Sequence, residues 1–88
     1  MKWQAGSGSL VTFRDGTYRV GIDIPAGTYR TEVPKELPYC HWERRRSPDP
    51  ASVIAHGTAD GGTEATVVIK PTDKVFVVGG CGTWMRIF

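Results

Sequence analysis

Long apolar runs are missing from this 88-residue chain: no stretch approaches the ~20 consecutive apolar residues of a membrane-spanning helix. Met1-Lys2-Trp3-Gln4-Ala5-Gly6-Ser7-Gly8-Ser9 also lacks the apolar centre of a signal peptide. The expectation is a mature or excised piece of an exported protein, or a chain that leaves the cell by another route, such as inside a phage particle. An excess of one charge is missing too. Eleven Lys and Arg against nine Asp and Glu leave +2, which does not by itself imply affinity for nucleic acid or membranes. Helical periodicity of useful length is absent, which argues against an α-helical domain.

Catalytic and metal-binding patterns are equally sparse. No Gly-x-Ser-x-Gly elbow is present, Gly6-Ser7-Gly8 lies in the N-terminal arm, and most carboxylates occupy turns, as Asp15, Asp60 and Asp73 do. Zinc would have to use Cys40, His41, His56 and Cys81. On a strand, adjacent Cys40 and His41 point to opposite faces, so they serve neither one ion nor one nucleophile–base pair well. The expectation is a non-enzymatic domain with no cofactor and no metal.

What is present is strand patterning. Residues 1–9 read as a flexible arm or linker, and residues 10–88 as a single β domain. From Leu10 onward, β-branched and aromatic residues alternate with polar ones between Gly, Pro and Asp turns. Val11 and Phe13 share a face before Asp15-Gly16, which reads as a hairpin turn. Tyr18, Val20, Ile22 and Ile24 form the inward row of the next strand, Pro25-Ala26-Gly27 turns the chain, and Tyr29, Thr31 and Val33 follow. Tyr39 to Arg45, Ser52 to His56, Ala65 to Ile69, Lys74 to Val78 and Cys81 to Phe88 complete about eight short strands. The fold expected is all-β: a small antiparallel β-sandwich, with a small barrel as the alternative. Gly-Thr-Tyr-Arg occurs at Gly16 to Arg19 and again at Gly27 to Arg30, as one turn-to-strand solution reused in a hairpin.

Two cysteines, Cys40 and Cys81, each precede a tryptophan by two or three residues. The simplest reading is one disulfide, although unpaired cysteines are also common in cores. On the strand from Tyr39, Cys40 and Trp42 share a face, so Trp42 is expected in the core. On the strand from Cys81, an inward Cys81 leaves Trp84, Arg86 and Phe88 facing away, as an aromatic anchor patch for a protein or envelope-carbohydrate partner. Arg44, Arg45 and Arg46 form a basic edge that joins the candidate binding surface. Beside Tyr39 and Trp42 they also allow a lesser reading, a small barrel that binds single-stranded nucleic acid.

With Tyr18-Arg19-Val20-Gly21-Ile22-Asp23-Ile24-Pro25-Ala26-Gly27-Thr28-Tyr29-Arg30-Thr31, Cys40-His41-Trp42, Lys70-Pro71-Thr72-Asp73-Lys74 and Cys81-Gly82-Thr83-Trp84, the chain resembles a small domain of exported actinobacterial proteins and lipoproteins, a domain also expected in their phages. The resemblance spans roughly residues 15–85 and implies an extracytoplasmic, disulfide-bearing, non-enzymatic β domain. It implies no ligand. His41 stands where that family usually has tyrosine, and Arg44-Arg45-Arg46-Ser47-Pro48-Asp49-Pro50 replaces a Ser- and Gly-rich loop. The function expected is a binding or interaction module at the cell envelope or outside the cell. A phage virion protein, decorating a capsid or attached to a tail, is the alternative.

Overall fold

The computed structural model describes residues 11–88, so the arm predicted for residues 1–9, with Trp3, and the predicted strand start at Leu10 lie outside the described residues. Eight strands follow: β1 (Thr12–Phe13), β2 (Gly16–Arg19), β3 (Gly27–Glu32), β4 (Tyr39–Arg45), β5 (Val53–Asp60), β6 (Glu64–Ile69), β7 (Val75–Gly79) and β8 (Trp84–Arg86). They form two four-stranded sheets, ordered β1-β8-β3-β6 and β2-β7-β4-β5, with every ladder antiparallel. Among the described residues no ladder joins one sheet to the other, so the expected sandwich is the architecture and the barrel alternative is not.

Consecutive strands mostly change sheets. Among the described strands only β4 and β5 are neighbours in both chain and sheet, joined through the Arg46–Ser52 loop, where the Arg46 N–H donates to the Ser52 carbonyl at 2.9 Å. That crossing pattern corrects two of the sequence expectations. Asp15-Gly16 is not a hairpin: β1 pairs with β8 in one sheet, and β2 pairs with β7 in the other. The two Gly-Thr-Tyr-Arg copies accordingly lie in opposite sheets rather than in one hairpin. The strand expected through Ile24 stops at Arg19, because Gly21 takes φ +86° and the chain turns over Gly21-Ile22-Asp23. Ile22, expected inward, is 72 % exposed at the tip of that turn.

The core lies between the sheets and centres on Phe13. Its ring meets Tyr29 at 5.3 Å and Trp84 at 6.3 Å from its own sheet, and Tyr18 at 4.7 Å and Phe76 at 6.0 Å from the opposite one. Such aromatic pairs, here tilted, edge-on or, for Trp84, stacked, add about 0.5–1.5 kcal/mol each beyond area burial, which matters in a domain with a thin core. β7 supplies Val75, Phe76 and Val78 as buried residues, in keeping with its nearly continuous apolar run and central place in its sheet. Trp42, as expected, packs against this core, its ring lying over Gly57 on β5 where an added Cβ would come within 2.6 Å.

Candidate binding surface

Cys40 on β4 and Cys81 in the β7–β8 connection are joined as the disulfide, and both are buried. The bond ties the second sheet to the segment that feeds β8 into the first. A second fastening lies beside it: the Asp15 carboxylate accepts from the Gly80 N–H at 3.1 Å and the Cys81 N–H at 3.2 Å. Gly80 holds φ +72°, and a side chain there would run into the Tyr39 carbonyl.

This anchored kink inverts the face expected of β8. Cys81, Gly82 and Thr83 are not strand, so inside–outside alternation does not carry from Cys81 to Trp84. Trp84, expected on an exposed row, is fully buried, with its ring 5.7 Å from Phe76 of the facing sheet. Its Nε1–H has no acceptor among the described residues. Arg86 and Phe88 are exposed, Phe88 at 82 %, but without Trp84 they do not form the aromatic patch anticipated. Arg86 lies over Gly27, close enough that a Cβ there would strike its Nε. Burial raises the Tyr29 phenol above its ordinary value, an effect Arg86 opposes by attraction.

The row that does face solvent is the one read as inward. Met85, at 43 % exposure, lies between Thr12 and Arg30 across the first sheet. Ile87, whose N–H donates to the Thr28 carbonyl, and Val68, opposite Thr28 and 53 % exposed, extend the apolar strip. Thr12, Arg30, Glu32, Thr83, Met85 and Ile87 line a shallow groove of about 380 Å³ along this face.

The three consecutive arginines part company. Arg44 turns inward and grips Asp73 through two hydrogen bonds, Nε to Oδ2 at 2.6 Å and Nη2 to Oδ1 at 3.1 Å. Asp73 is itself buried and also accepts from the Lys70 N–H at 2.9 Å. Burial pushes the Asp73 carboxyl up, but the bonds from Arg44 and Lys70 outweigh it and hold the group below its ordinary value. Arg45 pairs with Glu43 at 2.8 Å on the outer face. Only Arg46 is exposed and free of an ion pair among the described residues. The surface expected for single-stranded nucleic acid is therefore not assembled: two of its cations are engaged, and Trp42 faces inward while Tyr39 faces out.

Arg46 instead joins residues remote in sequence. β2, β7 and β4 are adjacent, and their ends align where the Val20 N–H donates to the Lys74 carbonyl and the Lys74 N–H to the Arg45 carbonyl. Arg19, Lys74 and Arg46 thereby meet at one end of the second sheet, around a cleft of about 470 Å³. Sequence reasoning missed this cluster because its members lie at the ends of three different strands. The available signal was a basic residue at the end of each strand, beside a turn.

A family model described as an Rv1352-like extracellular domain matches residues 11–85. Uncharacterized protein Rv1352 of Mycobacterium tuberculosis and Uncharacterized protein Mb1387 of Mycobacterium bovis are each 36 % identical to the chain over 84 residues. Each match covers 83 % of this chain and 68 % of the relative. No solved structure matches it.

Proposed function

The chain belongs to the Rv1352-like extracellular domain family, and from that premise we propose that it is a non-enzymatic recognition module that binds a protein partner outside the cytoplasm. The observation that carries this reading is the outer face of the first sheet. Met85, Ile87 and Val68 form an apolar centre that the fold does not bury, although the inner faces of the same strands are closed by Tyr29, Val67, Ile69 and Trp84. Arg30, Glu32 and Glu64 surround that centre with both signs of charge, the arrangement of an apolar contact with a polar rim. The non-enzymatic part draws support from the cysteines: each sulfur is bonded to the other, which leaves the chain no thiol nucleophile. Relatives encoded by mycobacteria favour an exported bacterial module over the virion alternative.

Photo-crosslinking in the producing cell tests the reading. A benzophenone side chain placed at Met85 should give a discrete adduct with an envelope protein, and one placed at Thr58, on the outer face of the second sheet, should not. Equal adducts from both positions, or none from Met85, would exclude this face as the contact.

A further inference from the structure

The cleft at the end of the second sheet combines two features that do not serve the fold. Arg46 and Lys74 are exposed and have no carboxylate within ion-pair distance among the described residues. Arg19 completes the ring, its charge shared with Asp23 at 3.0 Å. With the cations, the lining is mostly apolar: Val20, Ile22, Pro48 and the buried Val75, with Ser47 as its one uncharged polar side chain.

Ile22 is held out rather than merely left out. The Arg19 carbonyl accepts from the N–H groups of Ile22 at 3.2 Å, Asp23 at 2.8 Å and Ile24 at 3.3 Å. The Asp23 carboxylate in turn accepts from the Arg19 N–H at 2.8 Å and from the Arg19 guanidinium at 3.1 and 3.0 Å. Those side-chain bonds, then the backbone one, hold the Asp23 carboxyl below its ordinary value. A turn braced this tightly presents a β-branched apolar tip at 72 % exposure beside unpaired cations.

We propose that this end of the domain is a peripheral membrane contact, at which Arg46, Lys74 and Arg19 take the phosphates of anionic lipid headgroups while Ile22, flanked by Pro48, enters the headgroup–acyl boundary. Charge complementarity chooses the occupant. Three cations ring an apolar tip, and the only acidic group braced into the turn, Asp23, is already committed to Arg19. Basic residues near an anionic bilayer and a shallowly inserted apolar side chain are the two components of such binding, the first sensitive to salt and the second not. The cluster is local, which reconciles it with a chain whose overall charge is only +2.

Flotation with phosphatidylcholine vesicles, with and without phosphatidylglycerol, tests the proposal on the full chain. Wild type should partition onto the anionic vesicles and not onto pure phosphatidylcholine. Lys74→Glu or Arg46→Glu should each weaken partitioning by about 25-fold at low salt, taking about 5-fold for each unit of charge. Ile22→Ser should weaken it at about 0.5 M salt as well, where the charges are screened. Lys35→Glu, the same charge change on the β3–β4 loop at the opposite end of the sandwich, should leave it unaltered. All four positions are exposed, so melting temperatures of the variants should stay close to wild type and provide the folding control. The proposal is overturned if anionic vesicles are not bound, if Lys35→Glu weakens binding as much as Lys74→Glu, or if millimolar inorganic phosphate displaces the protein completely.

Discussion

Tyr18 and Tyr29 lie in opposite sheets, yet each hydroxyl donates to the carbonyl four residues before it, Tyr18 to Arg14 at 2.6 Å and Tyr29 to Pro25 at 2.7 Å. The repeated Gly-Thr-Tyr-Arg is thus a repeated tyrosine brace, each pinning the turn that leads into its own strand. The Tyr29 ring is fully buried and its bond is partly so, whereas the Tyr18 bond is exposed, so Tyr29→Phe removes the better-shielded of the two braces.

Tyr29→Phe should cost about 1–2 kcal/mol, seen as a lower urea midpoint at unchanged slope. Tyr18→Phe, at a site that water reaches, should cost less than half as much. Equal losses would show that the two braces do not differ in burial as described.

Trp84→Ala should remove about 3–5 kcal/mol, enough to lower the melting temperature by many degrees, since the ring fills the space between Phe13 and Phe76. Trp84→Phe should cost far less, because it removes an indole N–H that finds no acceptor among the described residues. Phe88→Ala, by contrast, should stay within about 0.5 kcal/mol.

The pH dependence follows from Asp73. Its carboxyl is held below the ordinary value in the folded state, so its stabilising contribution is fully present above the unfolded value of about 3.9 and is lost as pH falls through the folded value. Asp73→Asn should cost about 3 kcal/mol at neutral pH, the lower end for breaking a buried pair, since Arg44 keeps 14 % exposure. The variant should also show a shallower loss of stability below about pH 4 than wild type. Parallel acid titrations of unfolding for the two proteins check the sign.

Reading the sequence succeeded where its alternation ran between unambiguous turn residues. β3, β4, β6 and β7 fall within about two residues of where Tyr29, Trp42, Val67 and Phe76 placed them, and the inward pairing of Cys40 with Trp42 holds. It failed where backbone geometry broke the period without changing residue type. Gly21 ends a strand inside an unbroken apolar alternation, and Gly80 with the Asp15-anchored segment resets the face of β8, so Trp84 and Met85 exchange sides. Of the residues singled out, the exposure of Arg46, Arg86 and Phe88 was legible. The engagement of Arg44 by Asp73 was not, because it depends on a contact 29 residues away. The same holds for the meeting of Arg19, Lys74 and Arg46, which only the strand order creates.

Replacing both cysteines by alanine should cost roughly 4 kcal/mol, from a loop closed across 41 residues of sequence. In native protein, reductant followed by alkylation should add two labels only after the domain has loosened, because both cysteines are buried. Two labels without reductant would show that the bond is absent in solution.

That one bond supplies a large share of the few kilocalories a domain of this size can hold in reserve. Its location between a sheet and the segment entering the other sheet makes oxidation an assembly step for the whole sandwich rather than a local reinforcement. In a reducing compartment the chain would give up roughly 4 kcal/mol of the ~5–15 kcal/mol that holds a typical domain folded. The cysteine pair therefore gives the domain its full stability in an oxidising setting, such as the extracellular one in its family's description.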